Sequence, residues 1–198
     1  MTPPPAPASS RLWLVRHAAP LVAPGTCYGA LDVPADVQAT RAAAERLATA
    51  LPAGALVVYS TLQRCELLAH DLQALRPDLT FAPDARLREM DFGCWEGKTW
   101  DAIGKSAIDI WVAGFATHAP GGGESLAHML HRVAAALQTA REWRTEQAAK
   151  DVVWITHAGV ARCVAWLQER GESALPRSED WPVAAAPGWG EWEIRELA

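Results

Sequence analysis

Three short apolar runs recur along the chain, and a polar residue directly follows each of them. They occupy residues 12–15, 56–59 and 152–155. None of the three alternates between apolar and polar positions, so both faces of each run are expected to be covered, as in a parallel sheet. The pattern predicts three buried parallel strands.

The segments between these strands have the character of helices. Their apolar residues recur at helical spacing, and proline or glycine follows where a helix should end. The predicted helices cover residues 36–50, 61–75, 126–149 and 160–169. Strands that alternate with helices predict an α/β fold, with a mostly parallel sheet and helices on both of its faces.

The start of the second helix carries a specific signal. Ser60 and Gln63 form an S-x-x-Q pattern, which predicts a capping box around the first turn. Residues 79–115 are less regular, and we expect a strand near 79–81 followed by short helices that form a partial lid. The tail, WGEWEIREL, alternates well enough to predict a final strand.

Length and composition bound the domain organisation. A chain of 198 residues, half of them hydrophobic, can bury one sizeable core. We expect one domain over residues 11–198, preceded by a flexible Pro-rich leader, residues 1–10. The leader lacks the basic region and apolar core of a signal peptide. No apolar run approaches the roughly 20 residues that span a membrane, so we expect a cytoplasmic protein without a membrane partner.

The net charge and the cysteines indicate which partners and which cellular compartment to expect. A formal net charge of −5 argues against a nucleic-acid partner, which would favour a basic face. It is compatible with a small anionic substrate, because a few arginines can form one positive pocket on an acidic protein. The four cysteines are scattered, so we interpret them as free thiols in a reducing compartment. The oligomeric state stays open, with a homodimer as one alternative.

Polar side chains that suit an anion follow the predicted strands. Arg16 and His17 end the first strand, His157 ends the last, and Arg64 lies in the first turn of the second helix. Ligands of open α/β sheets bind at the carboxyl edge of the strands, so these four residues should meet there. Guanidinium forks and a helix N-terminus favour a phosphate group.

Two histidines and a carboxyl group would supply the catalytic groups for transfer of a phosphoryl group. An unprotonated imidazole can attack phosphorus, and a second imidazole can donate a hydrogen bond to the oxygens of the transition state. A leaving alkoxide also needs a proton. Within LREMDFGCWEG the best candidate for that proton donor is Glu89, followed by Asp91 and Glu96.

Five segments in a fixed order resemble one known family. They are LVRHAAP, YSTLQRCELLA, LREMDFGCWEG, PGGGESLAHMLHRV and VVWITHAGVAR. Together they resemble the histidine phosphatase superfamily, also called phosphoglycerate mutase-like. The resemblance implies that His17 is a phosphohistidine nucleophile, that Arg16, Arg64 and His157 bind phosphate, and that Glu89 donates a proton. It also implies the family's sheet flanked by helices, with no metal and no cofactor. Ala18 departs from the family's usual glycine without altering the catalytic side chains.

One further segment bears on the substrate. GTCYGALDVP resembles the region after the nucleophile in α-ribazole phosphatases, so α-ribazole 5′-phosphate is our leading substrate, and Tyr28 a candidate for its pocket. We call residues 87–97, LREMDFGCWEG, the acid loop. Trp95 and Trp100, in or near this loop, are candidates for a pocket wall. The alternatives are a phosphoglycerate mutase, a broad-specificity phosphatase and a non-catalytic phosphate-binding module. The chain is short where mutases generally carry an insertion, which favours a hydrolase of small phosphomonoesters.

Two further histidines invite a metal interpretation. His128 and His131 lie three residues apart on the predicted long helix, but on the side opposite its apolar stripe. We expect them on a solvated face.

Overall fold

The computed structural model describes residues 11–146 and 151–197. The predicted leader, residues 1–10, lies outside this range, and so do residues 147–149 of the predicted long helix.

A five-stranded sheet forms the centre of the described fold. Its strands are β1 (Arg11–Arg16), β2 (Leu56–Tyr59), β3 (Thr80–Pro83), β4 (Asp151–Thr156) and β5 (Trp192–Glu196). They lie in the order β3-β2-β4-β1-β5, and only the pairing of β5 with β1 is antiparallel. The mostly parallel sheet and the final strand in the tail are therefore confirmed.

Helices cover both faces of this sheet. The helices on the sheet are α1 (Val37–Ala50), α2 (Gln63–Leu75), α5 (Leu126–Glu146) and α6 (Ala158–Arg170), and two shorter ones, α3 (Trp100–Ile103) and α4 (Lys105–Ala113), lie outside its two cores. Successive side chains of a strand point to opposite faces, so the apolar runs of β1, β2 and β4 feed two cores. One core packs these strands against α5 and α6, and the other packs them against α1 and α2. The predicted α/β fold is confirmed.

The predicted capping box at the start of α2 is wrong. The helix begins at Gln63, and its N-cap, Leu62, provides no side-chain hydrogen bond. The Ser60 hydroxyl instead lies 2.8 Å from His157 Nε2, and the side-chain amide of Gln63 donates to the backbone oxygen of Asp32 at 2.6 Å. Both side chains that the local pattern assigned to helix capping therefore make tertiary contacts.

The irregular middle of the chain forms short helices, as expected. The helices α3 and α4 follow the acid loop and pack their aromatic residues beside it. Within residues 11–146 and 151–197, no helix is long and apolar enough to cross a membrane.

Candidate active site

The two histidines meet because their strands are adjacent and in register. In the parallel pair β1–β4, Arg16 lies opposite Thr156, so the next residue of each strand, His17 and His157, leaves the same edge of the sheet. Their ring centroids are 5.1 Å apart. Residues 140 positions apart in the sequence are thereby placed around one spot.

The hydrogen bond that His17 makes determines which of its ring nitrogens carries the lone pair. The side chain is buried, and its Nδ1 lies 2.7 Å from the backbone oxygen of Ala18. A carbonyl oxygen can only accept a hydrogen bond, so the proton of the neutral ring is on Nδ1 and the lone pair is on Nε2. Burial, together with the nearby charges of Arg64 and Arg16, lowers the pKa of His17 to about 3, against the opposing effect of the Ala18 hydrogen bond. The ring is therefore neutral at pH 7.

Arg64 brings a fully buried cation to the site. Its guanidinium donates to the backbone oxygens of Leu31, at 2.9 Å, and Gly29, at 2.6 Å, and lies 5.7 Å from the ring centroid of Tyr28. These partners are carbonyl groups and an aromatic ring, which orient the guanidinium without neutralising it. The charge remains available for an anionic ligand.

Arg16 is held from the other side by the tail of the chain. Its guanidinium donates to the backbone oxygen of Pro187 at 3.2 Å, and its central carbon lies 5.2 Å from the ring centroid of Trp189. Burial lowers the pKa of Arg16, although the group stays charged at neutral pH. The two arginines therefore approach the site from different elements.

His157 is enclosed more completely than His17. The side chain is 1% exposed, and Nε2 contacts the Ser60 hydroxyl at 2.8 Å. Burial and the nearby Arg64 charge hold the pKa of His157 well below its usual value, with a smaller effect of His17. Both imidazoles are thus neutral beside two cations.

Glu89 is the carboxylate that lies in the same cleft. Its Oε1 accepts from the Met90 amide and its Oε2 from the Gly159 amide, each at 3.0 Å. The other two candidates lie elsewhere. Glu96 accepts from the backbone amides of Ala30, Leu31 and Phe92, which ties the loop after β1 to the acid loop. Asp91 is exposed and accepts from the Gly93 amide.

The sequence model of the histidine phosphatase superfamily (branch 1) matches residues 12–184. The chain belongs to the histidine phosphatase superfamily. Among curated proteins, no sequence matches it.

Several solved structures share the fold of this chain. A mycobacterial glucosyl-3-phosphoglycerate phosphatase is 29% identical, with a TM-score of 0.73 over 94% of this chain and 89% of that chain. A Thermus thermophilus protein is 26% identical, with a TM-score of 0.65 over 93% of this chain and 92% of that chain. The α-ribazole phosphatase of Shigella flexneri is 23% identical, with a TM-score of 0.72 over 93% and 89%.

The family and these neighbours identify the chain as a phosphatase, a hydrolase of phosphomonoesters. The mycobacterial enzyme has also been solved with inorganic phosphate and with VO3.

The acid loop of this histidine phosphatase is anchored by a residue that the sequence did not single out. Arg132 pairs with both carboxylate oxygens of Glu124 at 2.7 Å and donates to the backbone oxygens of Arg86, Arg88 and Glu89. Glu124 precedes α5 and Arg132 lies in its second turn, so no helical charge-pair spacing marks them in the sequence. The loop that Arg132 anchors is also distant in the sequence.

The phosphatase cleft, which His17 lines, has a volume of about 360 Å³ and an aromatic wall. The wall contains Tyr28, Phe92, Trp100, Trp111, Phe115 and Trp181. Tyr28 and Trp100 line the cleft. Trp95 does not line it, because its buried ring packs behind the wall, 6.0 Å from that of Trp111.

His128 and His131 are both exposed on α5, on the solvated face that their spacing predicted.

Proposed function

We propose that this phosphatase works through a phosphohistidine on His17. The observation that carries the proposal is the hydrogen bond between His17 Nδ1 and the Ala18 carbonyl, because it leaves the Nε2 lone pair available in a cleft with two guanidinium groups. In the first step, Nε2 attacks phosphorus and the bond from phosphorus to the leaving oxygen breaks. Glu89 gives its proton to that oxygen.

The second step returns the enzyme to its starting state. Water attacks the phosphorus of phosphohistidine and the bond between phosphorus and Nε2 breaks. Glu89, now a carboxylate, takes a proton from the attacking water. Arg16, Arg64 and His157 bind the non-bridging oxygens in both steps, where they stabilise the developing charge. The two arginines supply the positive charge, so we propose a reaction that needs no metal and no cofactor.

Trapping the intermediate tests this mechanism. The protein is incubated with a ³²P-labelled phosphomonoester in EDTA and quenched in alkali, and the labelled residue is identified by peptide mapping. We expect acid-labile phosphate on His17, and its loss in His17→Ala. His128→Ala, which removes an exposed histidine of α5, is the matched control and should keep wild-type turnover. Turnover by His17→Ala, or label on another residue, would contradict the proposal.

For the substrate, we propose α-ribazole 5′-phosphate first. The aromatic wall supports it, because the edge-on and stacked rings of Phe92, Trp100 and Trp111 form an apolar surface for a flat leaving group. Tyr28 also belongs to the segment that resembles the α-ribazole branch and lies against Arg64. A heterocycle on a phosphoribosyl group fits a pocket with a cationic end and an aromatic wall.

A second candidate comes from the mycobacterial relative and from Arg162. That relative acts on glucosyl-3-phosphoglycerate by its name, and Arg162 of this chain lines the cleft, where it could pair with a carboxylate. A phosphoglycerate mutase or a broad-specificity phosphatase would use the same phosphate site. A phosphate-binding module without catalysis would show no hydrolysis.

A substrate panel distinguishes these functions. The panel holds α-ribazole 5′-phosphate, glucosyl-3-phosphoglycerate, sugar phosphates, and 3-phosphoglycerate with a bisphosphoglycerate primer. We expect the highest kcat/KM on α-ribazole 5′-phosphate, and a larger loss for that substrate than for the others in Trp100→Ala. Similar kcat/KM values across the panel would indicate broad specificity, and formation of the 2-isomer would indicate a mutase.

A further inference from the structure

Ser60 has a buried hydroxyl whose contacts lie within the active site. The side chain is fully buried after β2, and its Oγ lies 2.8 Å from His157 Nε2. The backbone amide of Leu62 approaches the same oxygen at 3.4 Å. The Ser60 oxygen therefore accepts a hydrogen bond from the Leu62 amide, and the hydrogen of its own hydroxyl is left to donate.

The hydrogen of that hydroxyl needs an acceptor, because a buried donor without one costs about 1–3 kcal/mol. The unprotonated nitrogen of a neutral imidazole is a strong acceptor, whereas the nearby Cys65 sulfur is a weak one. The Cys65 thiol in turn points to the Thr156 backbone oxygen at 3.5 Å, at the same distance as His157 Nε2. These contacts favour a hydrogen bond from the Ser60 hydroxyl to Nε2.

The other nitrogen of His157 then carries the proton of the neutral ring. Its Nδ1 is buried and has no hydrogen-bond partner among the described residues. The ring lies 5.1 Å from that of His17, centroid to centroid, so a phosphoryl group on His17 would be close to it. A buried N–H without a partner is rare, which indicates that this donor is kept for a ligand.

We propose that Ser60 is a positioning residue that holds His157 with its proton on Nδ1, so that Nδ1 donates a hydrogen bond to the transferring phosphoryl group. The inference rests on the proposed function, because it assigns that role to His157. With the other tautomer, Nδ1 would present a lone pair to the anionic oxygens, and the repulsion would raise the barrier instead of lowering it.

The tautomer can be measured directly in protein labelled with ¹⁵N-histidine, by long-range ¹H–¹⁵N correlation with and without orthovanadate. We expect His157 to be protonated on Nδ1 in the wild type, and to shift toward the Nε2 tautomer in Ser60→Ala. We also expect kcat and kcat/KM of Ser60→Ala to fall together, roughly 10- to 100-fold, because a donor used in the transition state is lost. Ser60→Thr, which keeps a hydroxyl, should recover part of the rate.

Ser125→Ala is the matched control, because it removes another buried hydroxyl that accepts a backbone amide, from His128 at 3.3 Å. It should leave the His157 tautomer and kcat unchanged. A wild-type spectrum with the proton on Nε2 would overturn the inference, even if no variant folds. So would Ser60→Ala with an unchanged tautomer and an unchanged rate. The tautomer spectra of the wild type and of Ser60→Ala do not depend on turnover. A failure to trap phosphohistidine would therefore refute the proposed function without deciding the inference about Ser60.

Discussion

At the scale of single residues, the position of Glu89, the proposed acid, depends on a glycine. The Gly159 amide donates to Glu89 Oε2, and a Cβ at position 159 would overlap Glu89 Oε1 and press on Met129. The backbone of α6 can therefore approach the carboxylate only without a side chain.

Gly159→Ala should move the acid without unfolding the protein. The overlapped atom is the end of a flexible side chain beside an open cleft, so Glu89 can turn away at small cost to stability. We expect kcat to fall about 10-fold or more on alkyl phosphates, because proton donation contributes roughly that much or more. The fall should be smaller on p-nitrophenyl phosphate, whose leaving group needs no proton. Equal losses on both substrates would argue against displacement of Glu89.

At the scale of elements, the tail of the chain supports β1, the strand that leads to His17. It lies beyond the residues that the family model matches, yet its backbone bonds Arg16 in both directions, from Arg16 N to Glu191 O at 3.0 Å and from Gly190 N to Arg16 O at 3.1 Å. Trp189 then lies against the guanidinium, with its ring half exposed. The tail thus adds the antiparallel edge strand to the sheet and orients Arg16, the proposed phosphate ligand.

Trp189→Ala tests the contribution of the tail. Loss of the ring should leave Arg16 charged but less restricted, because a cation–π contact at a partly exposed site is worth about 0.5–1 kcal/mol. We expect KM to rise and orthovanadate affinity to fall, each by about 2- to 5-fold, with a smaller change in kcat. Trp189→Phe should recover part of the affinity. An effect on Tm alone would assign the ring a structural role only.

The predictability of the elements follows from where their contacts lie. The strands β1, β2 and β4 could be predicted because burial on both faces leaves an unbroken apolar run, and the histidines followed from the rule that such strands end at one edge. The start of α2 could not be predicted, because Ser60 contacts His157, which is almost a hundred positions away in the sequence. Phe115 and Trp181 were missed for a similar reason, since loops bring them to the cleft and no local period marks them.

At the scale of the whole molecule, the site makes stability depend on pH. His17 and His157 are buried as neutral rings, and in the unfolded chain their pKa values return to about 6.5. Below pH 6.5 the unfolded state therefore binds protons that the folded state does not. The stabilisation is complete above the unfolded pKa and is lost as the pH falls toward the folded value, which is about 3 for His17.

Urea denaturation between pH 7.5 and 5 should show this loss. Each buried histidine lowers the free energy of unfolding by up to about 1.4 kcal/mol per pH unit below pH 6.5. His17→Asn should remove about half of this slope, whereas His128→Asn, at an exposed position, should not change it. A slope that is the same in His17→Asn and the wild type would contradict the assignment of a neutral buried ring to His17.

Arg64 forms no ion pair within residues 11–146 and 151–197, and this bears on the release of the product. The guanidinium is held by carbonyl groups, so in the proposed mechanism the oxyanion of the substrate is its counter-ion. Inorganic phosphate, the second product, retains every non-bridging oxygen that the substrate offers, and it leaves a buried cation unpaired when it departs. Its release is therefore costly, and abundant phosphate in the surroundings should hold the enzyme below its full rate by product inhibition.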